Sequence, residues 1–146
     1  MARLNGALCR ALVALGAVAL VTPAAWTQAS KLTALSRLEP GLWQLRDLDN
    51  AGAPAQSICI ADPDMLMQVQ HRNSPCSRMV LSNDAKGATV HYTCPANGFG
   101  RTSLRVETPR LAKIDTQGIS DNAPFAYRLE ARRTGACQAA RRGGAR

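Results

Sequence analysis

His71 and His91 are the only imidazoles in the chain, so general-base or metal chemistry would recruit them first. Their surroundings argue against it. His71 sits in a polar stretch behind a short helical pattern, and His91 lies on the threonine side of an alternating run, Thr89-His91-Thr93. Neither belongs to an HExxH spacing, and no Asp or Glu stands at a helical offset from either. Two solvated histidines are expected, and a small His-dependent hydrolase is the weakest of the functions considered. Asp47, Asp49, Asp62 and Asp64 suggest a calcium cluster by number, but they lack the regular oxygen-ligand loop and suit turns and caps instead. No serine occupies a G-x-S-x-G elbow, and Gly98-x-Gly100 lacks the third glycine of a dinucleotide loop. No catalytic residue, metal ligand or cofactor is therefore expected.

Three other groups invite a binding role. Trp43, beside Leu45 on an alternating run, suits a core anchor better than a ligand-contacting ring. Arg132 and Arg133 are adjacent, and in a strand they point to opposite faces, so they do not form one anion patch. Arg141, Arg142 and Arg146 could touch an anionic membrane surface at about 1 kcal/mol per charge, although a solvated tail is the better account of them.

The first thirty residues set the compartment. Arg3 and Arg10 are their only charges, Ala11 to Val21 is an unbroken apolar run of 11 residues, and Pro23 and a small-residue segment follow. A bilayer span needs about 20 residues; a charged start, a short apolar middle and a small-residue end make a secretory signal peptide instead. Thr27-Gln28-Ala29 places the expected cleavage after Ala29, and Cys9 precedes the apolar run, which excludes a lipoprotein anchor. Export to the periplasm of a Gram-negative bacterium, as a soluble protein of 117 residues, follows as the expectation.

The exported chain keeps Cys59, Cys76, Cys94 and Cys137. Gaps of 17, 18 and 43 residues contain no close Cys pair of the kind zinc or thioredoxin-like sites use, which leaves two structural disulfides. The formal charge of +8 is uneven: residues 30–127 hold ten Lys/Arg and nine Asp/Glu, whereas residues 128–146 hold six Arg against Glu130 alone. Nucleic acid is the usual partner of a basic chain. An exported protein rarely meets it, and two Phe and two Tyr offer little base stacking, so no nucleic-acid role is expected.

The elements that must position these residues are short and alternating. Gly41–Leu48 and Ala55–Ile60 form one expected hairpin about the Asp49-Asn50-Ala51-Gly52 turn, and Ser77–Ser82 and Ala88–Cys94 a second about Asp84–Gly87. Asp62-Pro63-Asp64 signals a helix start, with Met65, Leu66 and Val69 as the apolar stripe of a short helix ending near Gln70. Asn97–Gly100 is expected as a loop; Thr102–Glu107, Leu111–Gln117 and Phe125–Arg132 complete the strands, with Phe125, Tyr127, Leu129 and Ala131 on one face. The fold expected is mainly β, α+β at most: a curved antiparallel sheet or partly closed barrel of about seven short strands with one short helix. Its domain spans 38–137, after a signal peptide (1–29) and an N-terminal linker (30–37) and before a disordered basic tail (138–146). A turn centred on Ala85–Lys86 sets Cys76 nearly opposite Cys94, which favours Cys76–Cys94 with Cys59–Cys137 among the three possible pairings.

Leu38-Glu39-Pro40-Gly41-Leu42-Trp43 resembles the opening "PGLWE" motif of the proteobacterial envelope family known as domain of unknown function 3617. Ser57-Ile58-Cys59-Ile60 with Asp62-Pro63-Asp64 is similar to its Cys-Leu-Thr-Pro-Glu-like stretch, Cys76 and Cys94 to its middle pair, and Arg132-Arg133-Thr134-Gly135-Ala136-Cys137 to its closing "GRR-x-G-x-C" signature. Gln44 stands where that family has Glu, and the central strands carry Arg and Thr where it has Met and Gly. The resemblance implies an exported domain with four structural cysteines and transfers no catalytic residue. Together with the residue-level reading it points to a non-enzymatic binding or interaction module, its partner an envelope protein or a small ligand. The alternative is an envelope-surface protein held by its arginine tail.

Overall fold

A computed structural model describes residues 31–138. The expected signal peptide and Arg141, Arg142 and Arg146 lie outside the described residues. Seven strands form one antiparallel sheet that does not close: β1 (Gly41–Asp47), β2 (Gln56–Ile60), β3 (Ser77–Asn83), β4 (Gly87–Cys94), β5 (Gly98–Thr108), β6 (Leu111–Ser120) and β7 (Ala123–Gly135). They lie in the order β2-β1-β7-β6-β5-β4-β3, so the chain builds a β1–β2 hairpin and a β3–β7 meander, and β1 closes onto β7. The mainly β class, the strand count and both expected hairpins stand as read from the alternation. β5, β6 and β7 run 11, 10 and 13 residues, longer than expected, because tight turns at Pro109 and at Asp121–Asn122 join them. Asp121 and Asn122 both have positive φ, 50° and 63°, the geometry of the two-residue turn whose twist matches a hairpin's.

One sheet face holds the core. Trp43, Ile58, Val90, Tyr92, Leu104, Ile114, Leu129 and Ala131 line it, and Leu66 and Met67 cap it from a 3₁₀ helix over Pro63–His71. Asp62 caps that helix as expected, its Oδ1 accepting from the Asp64 N–H at 3.0 Å. The helix is 3₁₀ rather than α and breaks at Gln68 (φ −141°, ψ 46°), whose amide donates to the carbonyls of His71 and Ser74, both at 3.3 Å. Each of these bonds replaces a helical continuation with a turn.

Two expectations are corrected. Residues 31–37, read as part of a linker, bury Leu32, Ala34 and Leu35 at no more than 1% exposure, the last at the start of a single 3₁₀ turn (Leu35–Arg37). The strap is pinned across the sheet by the Thr33 N–H to Asn83 Oδ1 (2.8 Å) and by Arg37 to the Ala85 carbonyl (2.9 Å). Leu32, Leu35 and Leu38 recur every third residue, the spacing of one face of a 3₁₀ turn, a signal too short to read as an element on its own. Asn97–Gly100, read as a loop, instead opens β5 at Gly98. Tyr92 lies opposite Gly100, and a Cβ on that residue would stand 2.4 Å from the Tyr92 hydroxyl. The glycine admits the phenol ring onto the strand, an aromatic covering a cross-strand glycine. Gly100→Ala is expected to cost about 1–3 kcal/mol by overpacking, read as a lowered urea midpoint with unchanged slope.

Both disulfides fall as favoured, Cys76–Cys94 beside the β3–β4 hairpin and Cys59–Cys137 between β2 and the segment leaving β7. No helix among the described residues is long and apolar enough to cross a membrane.

Candidate functional site

The residues of the opening and closing motifs meet in one structural clasp. Leu42 pairs with Gly135 and Trp43 with Arg133 across β1 and β7. Arg133 Nε donates to the Pro40 carbonyl at 2.8 Å, Thr134 Oγ1 to the Leu42 carbonyl at 3.3 Å, and Trp43 Nε1 to the Glu39 carbonyl at 3.0 Å. Gly41 has φ +148°, and a Cβ there would lie 2.4 Å from the Gly135 carbonyl oxygen, so only glycine admits this approach. Trp43 is fully buried, the core anchor expected of it. Arg132 and Arg133 do point apart: Arg132 bonds Glu130 at 3.2 Å on the solvent side, and Arg133 is tucked against Pro40 and Glu39. Most of these motif residues hold the fold, and Arg132 alone of the closing pair turns its charge to the outer face.

The histidines lie on opposite sides of the sheet. His71, expected to be solvated, is 3% exposed. Its Nδ1 stands 3.3 Å from the Tyr92 hydroxyl and its Nε2 3.0 Å from the Asn97 carbonyl, while its ring meets Tyr92 and Phe125 edge-on. A neutral imidazole donating from Nε2 and accepting at Nδ1 satisfies all of these partners. Its burial comes from the kinked helix, which turns the residue inward. His91 is half-buried on the other face beside Phe99, ring centroids 6.0 Å apart. The four aspartates disperse as turn and cap residues: Asp47 accepts from the Asp49 N–H at 2.8 Å, Asp64 pairs with Arg78 at 2.9 Å, and Asp49 pairs with Arg128. The described residues contain no group of three His, Cys, Asp or Glu that could hold a metal.

Electrostatics follow these contacts. The Arg128 guanidinium, hydrogen-bonded to Asp49, holds that carboxyl below the usual carboxylate range. Asp84 is lowered by the N–H groups of Lys86 and Gly87 at 2.7 and 3.0 Å, the signature of a tight turn. Burial pushes the Tyr92 phenol above its ordinary 10.0, against the opposing pull of hydrogen bonds to Thr116 and Thr102. A phenol with a raised folded pKa contributes stability that is whole below its unfolded value and is lost as pH climbs through the folded one. Stability is therefore expected to begin falling near about pH 10, and Tyr92→Phe should flatten that alkaline slope in urea titrations.

The remaining candidate surface is the sheet face turned away from the core. Strand register places its side chains in rows. Arg46, Glu130, Lys113 and Arg105 stand side by side across β1, β7, β6 and β5. Arg128, Asp115, Ser103 and Thr89 form the next row, and Gln117, Arg101, His91 and Met79 the third. Arg132, opposite Gln44, adds a sixth cation; against the six stand Glu130 and Asp115 in the rows and Glu107 and Asp49, the ion-pair partners of Arg105 and Arg128, which leaves a cationic excess of two. Among the described residues neither Arg46 nor Arg101 has an ion-pair partner. Several open depressions lie on this face. One of 520 Å³ runs past Thr89, Ser103, Arg105, Lys113 and Arg128; another of 430 Å³ is bounded by His91, Phe99, Arg101, Gln117 and Ile119. Phe99, 45% exposed, lines the second, and exposed Met79 lies one strand further out, opposite His91. No single strand's sequence shows this surface, since each contributes one or two cations to it. The only signal for it was the polar half of each alternation. Comparisons of the chain with family models, curated proteins and solved structures gave no match.

Proposed function

We propose that this protein is an exported, non-enzymatic binding module of a Gram-negative envelope, freed into the periplasm by cleavage after Ala29, and related to the domain of unknown function 3617 proteins it resembles. The observation that carries the binding reading is the cationic outer face, where Arg46, Arg101, Arg105, Lys113, Arg128 and Arg132 converge from four strands. Such a face draws anionic groups toward it, and Phe99 beside Arg101, with Met79 beyond His91 in the same row, offers contact to an apolar portion of the same molecule. Two disulfides support an oxidising compartment.

Denaturing and native mass spectrometry of the protein from its own cells tests export and ligand together. Cleavage after Ala29, four missing cysteine hydrogens and an anionic adduct are expected; an uncleaved, reduced chain would refute export. Co-sedimentation with phosphatidylglycerol vesicles, compared with phosphatidylcholine, tests the face. Arg101→Glu/Lys113→Glu is expected to weaken salt-sensitive binding by roughly tenfold or more, whereas deletion of residues 138–146 leaves it standing. Binding lost with that tail and kept in the double variant would favour the tail-held surface protein instead.

A further inference from the structure

We infer that the outer face holds one molecule of a lipid with a phosphoglycerol headgroup, laid lengthwise along β5 and β6: its acyl end on Phe99 and Ile119, its phosphate at Arg101 and its glycerol hydroxyls at Ser103 and Asp115. This rests on the anion-binding reading above and adds to it the ligand and its direction. The register of the two strands sets the chemistry in order, because directly opposed residues share a face. Phe99 faces Ile119, Arg101 faces Gln117, and Ser103 faces Asp115. Pro124, opposite Ile119 on β7, extends the first pair into an apolar row. Phe99 is 45% exposed and Ile119 half-buried, so this row keeps apolar surface in water.

The occupant is argued from the two charges this strip leaves unpaired. Among the described residues neither Arg101 nor Asp115 has an ion-pair partner, although they stand in adjacent rows. A depression of 290 Å³, lined by Arg101, Ser103, Asp115 and Gln117, lies among them. It shares Arg101 and Gln117 with the 430 Å³ depression at Phe99, and Ser103 and Asp115 with the 520 Å³ one, so the three form one trough. Arg101 offers a free donor fork to a phosphate next to the apolar row. Asp115 only accepts, so it repels a second anion and takes hydroxyl hydrogens. Successive rows stand about 7 Å apart, the reach from a phosphate to the far hydroxyl of a glycerol. A free phosphate leaves the apolar row unused. A choline or ethanolamine headgroup would carry its cation onto Arg128, which faces Asp115, and onto Lys113 and Arg105 in the next row. A lipid whose phosphate is followed by a neutral polyol meets every row with the complementary group.

Isothermal titration of the exported chain with dihexanoyl lipids, kept monomeric below micelle formation, tests it. Dihexanoyl phosphatidylglycerol is expected to bind saturably, and roughly tenfold or more tighter than both dihexanoyl phosphatidylcholine and deacylated glycerophosphoglycerol. Arg101→Gln should abolish the first preference and Phe99→Ser/Ile119→Ser the second. Asp115→Ala should act with opposite signs, weakening phosphatidylglycerol roughly threefold or more and tightening dihexanoyl phosphatidic acid; a carboxylate acting only by its charge would, once removed, tighten both. None of these four side chains belongs to the core, so thermal unfolding of each variant should match the wild type's. Equal affinity for phosphatidylglycerol and phosphatidylcholine, or tightening of both anionic lipids in Asp115→Ala, would overturn the placement. So would vesicle co-sedimentation that persists while the monomeric lipids fail to bind, a result that leaves the cationic face as proposed; loss of vesicle binding as well would remove both readings.

Discussion

Replacing Cys59 and Cys137 together by alanine is expected to lower the unfolding free energy by about 4.5 kcal/mol, the largest loss available from any one link in the fold. The bond closes a sequence separation of 78 residues, against 18 for Cys76–Cys94, whose removal is expected to cost about 3 kcal/mol on the same chain-entropy argument. The structural consequence also differs. Cys59 lies on the terminal strand β2, which pairs only with β1, and Cys137 follows the strand on β1's other side. Losing the bond leaves β2 held by its five-residue ladder and by Ile58 and Ile60 in the core. Losing Cys76–Cys94 leaves a β3–β4 hairpin whose turn and register remain. Urea unfolding of the two double-alanine variants measures the difference. An equal loss for both would mean that the longer loop is already constrained in the unfolded chain.

Trp43→Ala is expected to cost about 3–5 kcal/mol. The ring is fully buried where β1 passes between β2 and β7, and its Nε1 satisfies the Glu39 carbonyl at 3.0 Å. Truncation removes the largest fully buried side chain and leaves that carbonyl without its partner. Trp43→Phe keeps most of the ring volume and gives up the hydrogen bond, so it should cost about 1–2 kcal/mol more than neutral repacking would. Circular dichroism in urea is the measurement, since Trp43 is the only tryptophan after Ala29 and its removal takes the fluorescence probe away. The wild-type fluorescence should itself be blue-shifted and should move red on unfolding.

The clasp between β1 and β7 gives a physical reason for the motif residues. Gly41 is small and has positive φ because Gly135 and Arg133 pass over it, Arg133 is half-hidden because it bonds Pro40, and Trp43 fills the space beneath. The residues that bear the resemblance are those that hold the sheet's first and last strands together. The proposed binding face draws mainly on residues outside the motifs, Arg46, Arg101, Arg105, Lys113 and Arg128, with Arg132 of the closing motif at its margin.

Alternation alone determined the mainly β class, seven strands, both hairpins and the shared faces of β4 and β7, and it favoured one cysteine pairing of three, because each rests on period-two geometry and on turns of fixed length. Those signals are local. The burial of His71, the packing of the 31–37 strap and the extension of β5 through Gly98 and Gly100 depended on contacts with residues distant in the chain: Tyr92 and Asn97 for His71, Asn83 for Thr33, Tyr92 for Gly100. The cationic outer face belongs to tertiary structure for the same reason. Arg46, Arg101, Lys113 and Arg128 are far apart in the chain and become neighbours only through strand order.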